Sequence, residues 1–165
     1  MAATVHDVSA TFRIRDVMTT DLVTLSEGES MNLASTIMQV GRIRHLPVVN
    51  DEHQLTGLVT HRDLLRVSVS DVADLSSDER KQLLEAIPVR EVMQKHIVTT
   101  HPMCSLLDAA QLLINHKYGC LPVVDELGKL VGLVTEHDFV RMMITLLEAS
   151  QEQSVSADNS APCPA

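Results

Sequence analysis

Residues 46–63 read LPVVNDEHQLTGLVTHRD, and residues 121–138 read LPVVDELGKLVGLVTEHD. Each stretch is an apolar run, a polar turn, a second apolar run and then Thr-x-x-Asp. Two short aliphatic runs around a polar turn predict a β-hairpin. The turn of the second copy, Asp125 to Lys129, carries the Gly that such loops favour. The Thr-x-x-Asp that follows predicts a helix start, with Asp63 and Asp138 in the first turn, where a carboxylate suits the helix dipole.

Outward from these stretches the match continues without a gap. Residues 14–67 align with residues 89–142 at a constant offset of 75, and 18 of 54 positions are identical. Shared composition does not produce ungapped identity of this kind, so the chain contains an internal duplication. Each copy opens with a helical turn (Arg15 to Met18 in the first) and a brief extended stretch, Leu22 to Thr24. An amphipathic helix follows from Ser30 to about Gly41, with Met31, Ala34, Ile37 and Met38 at helical spacing. Its twin starts at Ser105, where Ser105-x-x-Asp108 resembles a capping box, and Leu106, Ala109, Leu112 and Leu113 form its apolar stripe.

The predicted order is β-α-β-β-α, twice over. The fold class is α/β (α+β), with two pseudo-symmetric repeats packed face to face, because a copy of this size buries little surface alone. The predicted organisation is an N-terminal segment (1–13), repeat one (14–67), a linker with a short helix (68–88), repeat two (89–148) and a disordered tail (149–165). In the linker, Ser76-Ser77-Asp78 looks like a helix start, Leu83, Leu84 and Ile87 can pack on one side, and Pro88 ends the helix. The last helix is predicted from Glu136 to Glu148. The tail is assigned on its small, polar composition.

The chain has 165 residues, 45% hydrophobic and 21% charged, with a formal net charge of −9. That balance argues against a nucleic-acid binder, which needs a basic face. Aromatics are 2%, too few for a stacking platform. No apolar run reaches the roughly 20 residues a membrane span needs, and Met1 to Asp7 lacks the features of a secretory signal. Three cysteines, 104, 120 and 163, form no C-x-x-C pair and suit a reducing cytosol. The expected localisation is cytoplasmic. Eight histidines show no metal-ligand spacing, so no metal is expected, although His96 and His101 could meet across a loop. No nucleophile elbow, P-loop or G-x-G-x-x-G occurs, so no catalytic residue is assigned and the chain is not expected to be an enzyme. Cys120, inside an apolar run, reads as a small buried hydrophobe. Met18, Met38, Met93 and Met103 read as core filling.

The run R-D-V-M, V-T, R-H-L-P-V-V, G-L-V-T-x-R-D resembles a CBS domain. The run R-E-V-M, V-T, C-L-P-V-V-D, G-L-V-T-x-H-D resembles a second, and two in tandem resemble a Bateman module. The resemblance covers residues 14–142. It implies an adenine nucleotide or adenosyl ligand in the clefts between repeats. AMP, ADP or ATP is the expected ligand, with NAD or S-adenosylmethionine sharing the same adenosine end, and no cofactor is required. It implies that Thr60 and Asp63, and Thr135 and Asp138, hold ribose or phosphate. An ionised Asp can accept from both ribose hydroxyls.

The same Thr and Asp have a second reading as an ordinary helix cap. The resemblance further places Arg44 and His45, with Arg62 nearby, at the phosphates. Gly119, Cys120 and His137 hold the matching positions of copy two, so the copies diverge where charge matters. One cleft would combine Thr60 and Asp63 with His101 and Tyr118, the other Thr135 and Asp138 with Ser26 and Ile43. Tyr118 could flank an adenine or simply pack, and Arg44 and Arg62 could be phosphate contacts or solvated charges. The resemblance implies a regulatory module, acting on an unidentified protein target in trans, that homodimerises through helices rich in Met31, Met38, Leu112 and Leu113. The rival reading is a structural homodimerisation module with empty or vestigial clefts.

Overall fold

The computed structural model describes residues 12–69 and 76–158. Helices and strands are numbered in chain order. Repeat one contains α1, a single 3-10 turn (Ile14–Asp16), then β1 (Leu25–Ser26), α2 (Met31–Gly41), β2 (His45–Val49), β3 (Leu55–Thr60) and α3 (His61–Val69). The linker carries α4 (Ser77–Ala86). Repeat two contains α5 (Val89–Val92), α6 (Leu106–His116), β4 (Cys120–Val124), β5 (Leu130–Thr135) and α7 (Glu136–Asp158).

Local chemistry fixes these boundaries. At the start of α2 the Ser30 hydroxyl accepts from the Leu33 amide at 3.3 Å. Arg42 ends the helix in the left-handed region at φ 51°, and Lys117 ends α6 the same way at φ 55°. Ser105 accepts from Leu107 N, so it caps α6 one residue earlier than a closed box with Asp108 would. Ser76 and Glu79 close a full capping box on α4, and side-chain hydrogen bonding from Ser76 holds the Glu79 carboxyl below its ordinary value.

The two hairpins share one register. His45 faces Thr60 in β2–β3, Cys120 faces Thr135 in β4–β5, and both ladders slip at the same step, Val48/Val49 and Val123/Val124. β1 adds a parallel strand to the first hairpin, pairing Leu25 with Val48 and Ser26 with Val49. The strand thus lies just beyond the expected Leu22–Thr24, because Leu25 is the side chain that enters the core. In repeat two its counterpart is reduced to one parallel bridge, Thr100 to Val123.

Each core is completed by the opening turn of the other repeat. Val89 and Met93, from repeat two, lie in the first core with Leu25, Met31, Ala34, Leu46, Val48 and Val59. Ile14, with Val17 and Met18, packs in the second core with Leu113, Leu121, Val123 and Val134. Paired backbone bonds hold the exchange: Thr19 and Leu133 bond reciprocally at 2.9 Å, and Leu58 and Gln94 at 3.0 and 2.9 Å. Ile14 N also donates to Cys104 O at 3.1 Å, and Val89 N to Glu29 O at 2.7 Å. Between the repeats, Leu58, Cys120 and Leu133 form a small shared cluster with Leu22 and Ile97. The linker helix belongs to repeat one. Leu84 is in the first core, and Glu85 accepts from the Ser30 hydroxyl and the Asn32 amide.

Three expectations need correction. The last helix runs to Asp158 rather than ending at Glu148. Residues 149–158 contain no Gly or Pro to stop it, and their polar composition concealed this. The rest of the expected tail, 159–165, lies outside the described residues, as do residues 1–11 of the N-terminal segment. Met103 is not core filling; it is 54% exposed, in the turn before α6, while Met38 and Met93 are buried as expected. Met31, Met38 and Leu113 are spent inside the cores and offer nothing to a partner. The exposed apolar residues of α2 and α6 are instead Leu33, Val40, Leu107 and Ile114.

Candidate functional site

The Thr-x-x-Asp motif sits where the last strand of each hairpin runs directly into a helix. The strand delivers the Thr, and three residues later the first helical turn returns the Asp to it. In repeat one, Asp63 Oδ2 accepts from Thr60 N at 2.9 Å and from the Thr60 hydroxyl at 2.6 Å. In repeat two, Asp138 Oδ2 accepts from Thr135 N at 2.8 Å and the Thr135 hydroxyl at 2.7 Å. Both carboxylates are buried, Asp63 at 3% exposure and Asp138 at 6%. The Thr-to-carboxylate bonds of a capped helix start form in both copies, and in repeat one the Thr60 hydroxyl also accepts from Asp63 N at 3.3 Å. One carboxylate oxygen satisfies the helix start, and the fate of the other decides what else each site can hold.

The two sites differ in what else reaches the carboxylate. Gln94 Nε2 reaches Asp63 at 3.1 Å (Oδ2) and 3.4 Å (Oδ1), and Arg66 Nη1 lies 3.6 Å from Oδ1. Asp138 Oδ1 has no hydrogen bond or ion pair among the described residues. Thr19 holds the position matching Gln94, and Arg141, matching Arg66, makes no ion pair with Asp138. Among the described residues no fully buried side-chain N or O lacks a partner. Asp138 Oδ1 is therefore the part of that buried residue that solvent reaches. Gln94 and Arg66 were not anticipated from the sequence. The available signal was the mismatch of Gln94 with Thr19 inside an otherwise matched opening turn. A shallow depression of about 280 Å³ adjoins Asp63, lined by Asp63, Arg66, Val67, Glu91 and Val92. Its two carboxylates against one guanidinium suit hydroxyl donors better than a phosphate.

The other expected residues are placed as follows. Arg44 is exposed, and its carbonyl accepts from His61 N at 2.9 Å, which anchors it beside the Thr60 end of the hairpin. Arg62 and His137 are exposed on the first turns of α3 and α7. His45 is half-buried against the second repeat, since a Cβ on Gly119 would lie 2.5 Å from His45 Nε2. Burial, and secondarily the Arg44 guanidinium, push the His45 pKa below its ordinary value. The shift disfavours the charged imidazole and so weakens His45 as a cation for a phosphate. Tyr118 packs on the second core and stacks on His116, with ring centroids 5.2 Å apart. Ser26 lies on β1 and its amide donates to Glu29 Oε2. Ile43 packs on the first core, and His101 is half-buried with its carbonyl accepting from Cys104 N.

Among the described residues no hydrogen bond or ion pair joins His101 or Tyr118 to Thr60 or Asp63, or Ser26 to Thr135 or Asp138. No group of three His, Cys, Asp or Glu able to hold a metal occurs among them. None of their helices is long and apolar enough to cross a membrane.

Comparison with known proteins bears on the same segments. A CBS domain-containing protein of Dictyostelium discoideum is 29% identical over 141 residues, covering 86% of this chain and 97% of its own. Homoserine O-acetyltransferase of Methanococcoides burtonii is 28% identical over 139 residues, but the match spans only 26% of that enzyme. Among solved structures, a Vibrio cholerae protein described as an acetoin utilization protein (AcuB) superposes with TM-score 0.73 at 35% identity, covering 86% of this chain and 96% of its own. CBSX2, solved in complex with AMP, superposes with TM-score 0.70 at 28% identity, covering 82% and 98%. The CBS domain model matches residues 14–70 and again 89–145. With two such units interlocked through their opening turns, the chain belongs to the CBS-domain family as a tandem pair.

Proposed function

We propose that the protein is a regulatory CBS-pair module that binds an adenine nucleotide or adenosyl ligand between its repeats and signals to a protein target. The observation that carries this reading is the Thr135–Asp138 pair. A buried carboxylate there keeps one oxygen open to solvent, beside a strand end and a helix N-terminus. Such an oxygen accepts strongly from hydroxyl donors of the kind a ribose presents. The AMP held by CBSX2, 28% identical to this chain, supports an adenine nucleotide as the ligand. AMP, ADP and ATP come first, with NAD and S-adenosylmethionine as alternatives. Arg44 and Arg62, both exposed near Thr60 and Asp63, are the cations available to a phosphate in that cleft, and they make affinity there fall with added salt. Ligand acts by population shift, favouring the state that it binds more tightly. The proposed role is regulatory rather than catalytic, and the proposed setting is the cytoplasm.

Isothermal titration with AMP, ATP, NAD and S-adenosylmethionine tests this. Heat with one of them, lost in an Asp63→Ala, Asp138→Ala double variant, supports the reading. The absence of heat with all four overturns it.

A second reading, a structural homodimer with vestigial clefts, has one observation in its favour. Val140, Met143, Ile144 and Leu147 are each about half exposed and fall on one face of α7 at helical spacing. A second copy covering this stripe would give the dimer without any ligand. A fall in mass from dimer to monomer for Ile144→Glu, with ligand binding absent throughout, favours it.

A further inference from the structure

We infer that the two clefts are unequal, that the Asp138 site is the tight one, and that Gln94 and Arg66 are a built-in competitor of the Asp63 site. The inference rests on the ligand-binding reading above.

The fold gives both sites the same frame, with the same strand register, Thr-to-carboxylate bonds and near-complete burial of the Asp. They differ in what approaches the free side of the carboxylate. At Asp63 it is the Gln94 amide, a neutral donor of the strength a ribose hydroxyl offers, together with the Arg66 guanidinium. Any diol that binds Asp63 must first displace both. Gln94 is well placed to return, because its own backbone is pinned to Leu58 in β3 by two hydrogen bonds. At Asp138 no such donor stands in the way among the described residues. Hydrogen bonds to an ionised group are individually strong enough that losing one pair weakens binding about tenfold or more. The repeat that carries Arg44 and Arg62 thus has the obstructed carboxylate, and the repeat without those cations has the open one.

The test is titration of the full chain with AMP, followed by the number of AMP molecules bound per chain. The wild type is expected to show one tight event, with any second event at least tenfold weaker. Asp138→Asn, which keeps an oxygen to accept from Thr135, is expected to weaken the tight event at least tenfold. Gln94→Ala alters an exposed side chain outside both cores. It is expected to bring the second event to within about threefold of the first, and adding Asp63→Asn is expected to remove it again. Two equal events in the wild type overturn the inference, as does a Gln94→Ala protein with the wild-type pattern. Those outcomes leave the ligand-binding reading standing. If AMP, ATP, NAD and S-adenosylmethionine bind neither the wild type nor Gln94→Ala, the function and this inference fall together.

Discussion

Met93 of repeat two lies directly over Gly57 of repeat one, where a Cβ would overlap its Sδ and stand 3.2 Å from its Cβ. Met18 covers Gly132 in the same way, with a Cβ there 2.6 Å from Sδ and 3.3 Å from the Thr19 carbonyl. The glycine of Gly-Leu-Val-Thr is therefore a seat for the methionine of Asp/Glu-Val-Met, across the repeat boundary.

Gly57→Ala and Gly132→Ala should each destabilise the fold by about 1–3 kcal/mol through overpacking. Urea denaturation measures this. Because Gly57 and Met93 touch, Gly57→Ala combined with Met93→Ala should cost less than the sum of the single changes. Strict additivity would show that the methionine simply swings aside.

The two carboxylates should separate stability from binding. Asp63 accepts from Thr60 and Gln94 and pairs with Arg66, whereas among the described residues Asp138 accepts from Thr135 alone. Asp63→Ala should cost more stability than Asp138→Ala, by about 1 kcal/mol, most of it from the part-buried Gln94 contact because Arg66 is largely exposed. Thermal unfolding without ligand decides it, and equal losses would contradict the bonding described.

Stability should fall as the solution is acidified below about pH 6.5. His45 has a lowered pKa in the folded state, from burial first and Arg44 second, against an ordinary value of 6.5. Well above that pH both states are neutral at His45 and nothing changes. Below it the unfolded chain takes up a proton that the folded chain refuses, so the fold loses stability. His45→Gln should flatten this part of the pH profile of chemical denaturation.

Cys120 should resist alkylation in the folded protein. Burial pushes its thiol up to about 12, so almost no thiolate exists at neutral pH. Cys104 is half-buried and should react sooner. Timed iodoacetamide labelling with peptide mass mapping separates the two, and comparable rates would show that the β4 edge opens readily.

The hairpins and helix starts were legible because they depend on neighbours in sequence: apolar runs around a polar turn, the Ser76-Ser77-Asp78 start, a Thr-x-x-Asp. The exchange of opening turns was not. A turn such as Ile14–Asp16 carries no mark of which of two similar cores it joins, and the clue lay in two identities, Met18/Met93 and Gly57/Gly132, that had to be read as pairs. The same limit hid Gln94 on Asp63, a contact between residues 31 positions apart. The helical continuation to Asp158 is obscured differently, because residues 149–158 are polar like a tail yet contain no Gly or Pro to break the helix. His45 illustrates a further gap. Charge type is visible in sequence, but desolvation by the other repeat is not.

The exchanged turns also bear on how the chain is made. Residue 14 leaves the ribosome long before residue 104, to which it hydrogen-bonds, and the first core waits for Val89 and Met93 from the second repeat. Neither half can finish alone during synthesis. Contacts that join such distant parts of the chain slow folding and leave apolar surface uncovered in the interval. A nascent chain halted anywhere before the second hairpin would present an unfinished core to chaperones and proteases, so quality control would see the two repeats as one indivisible product.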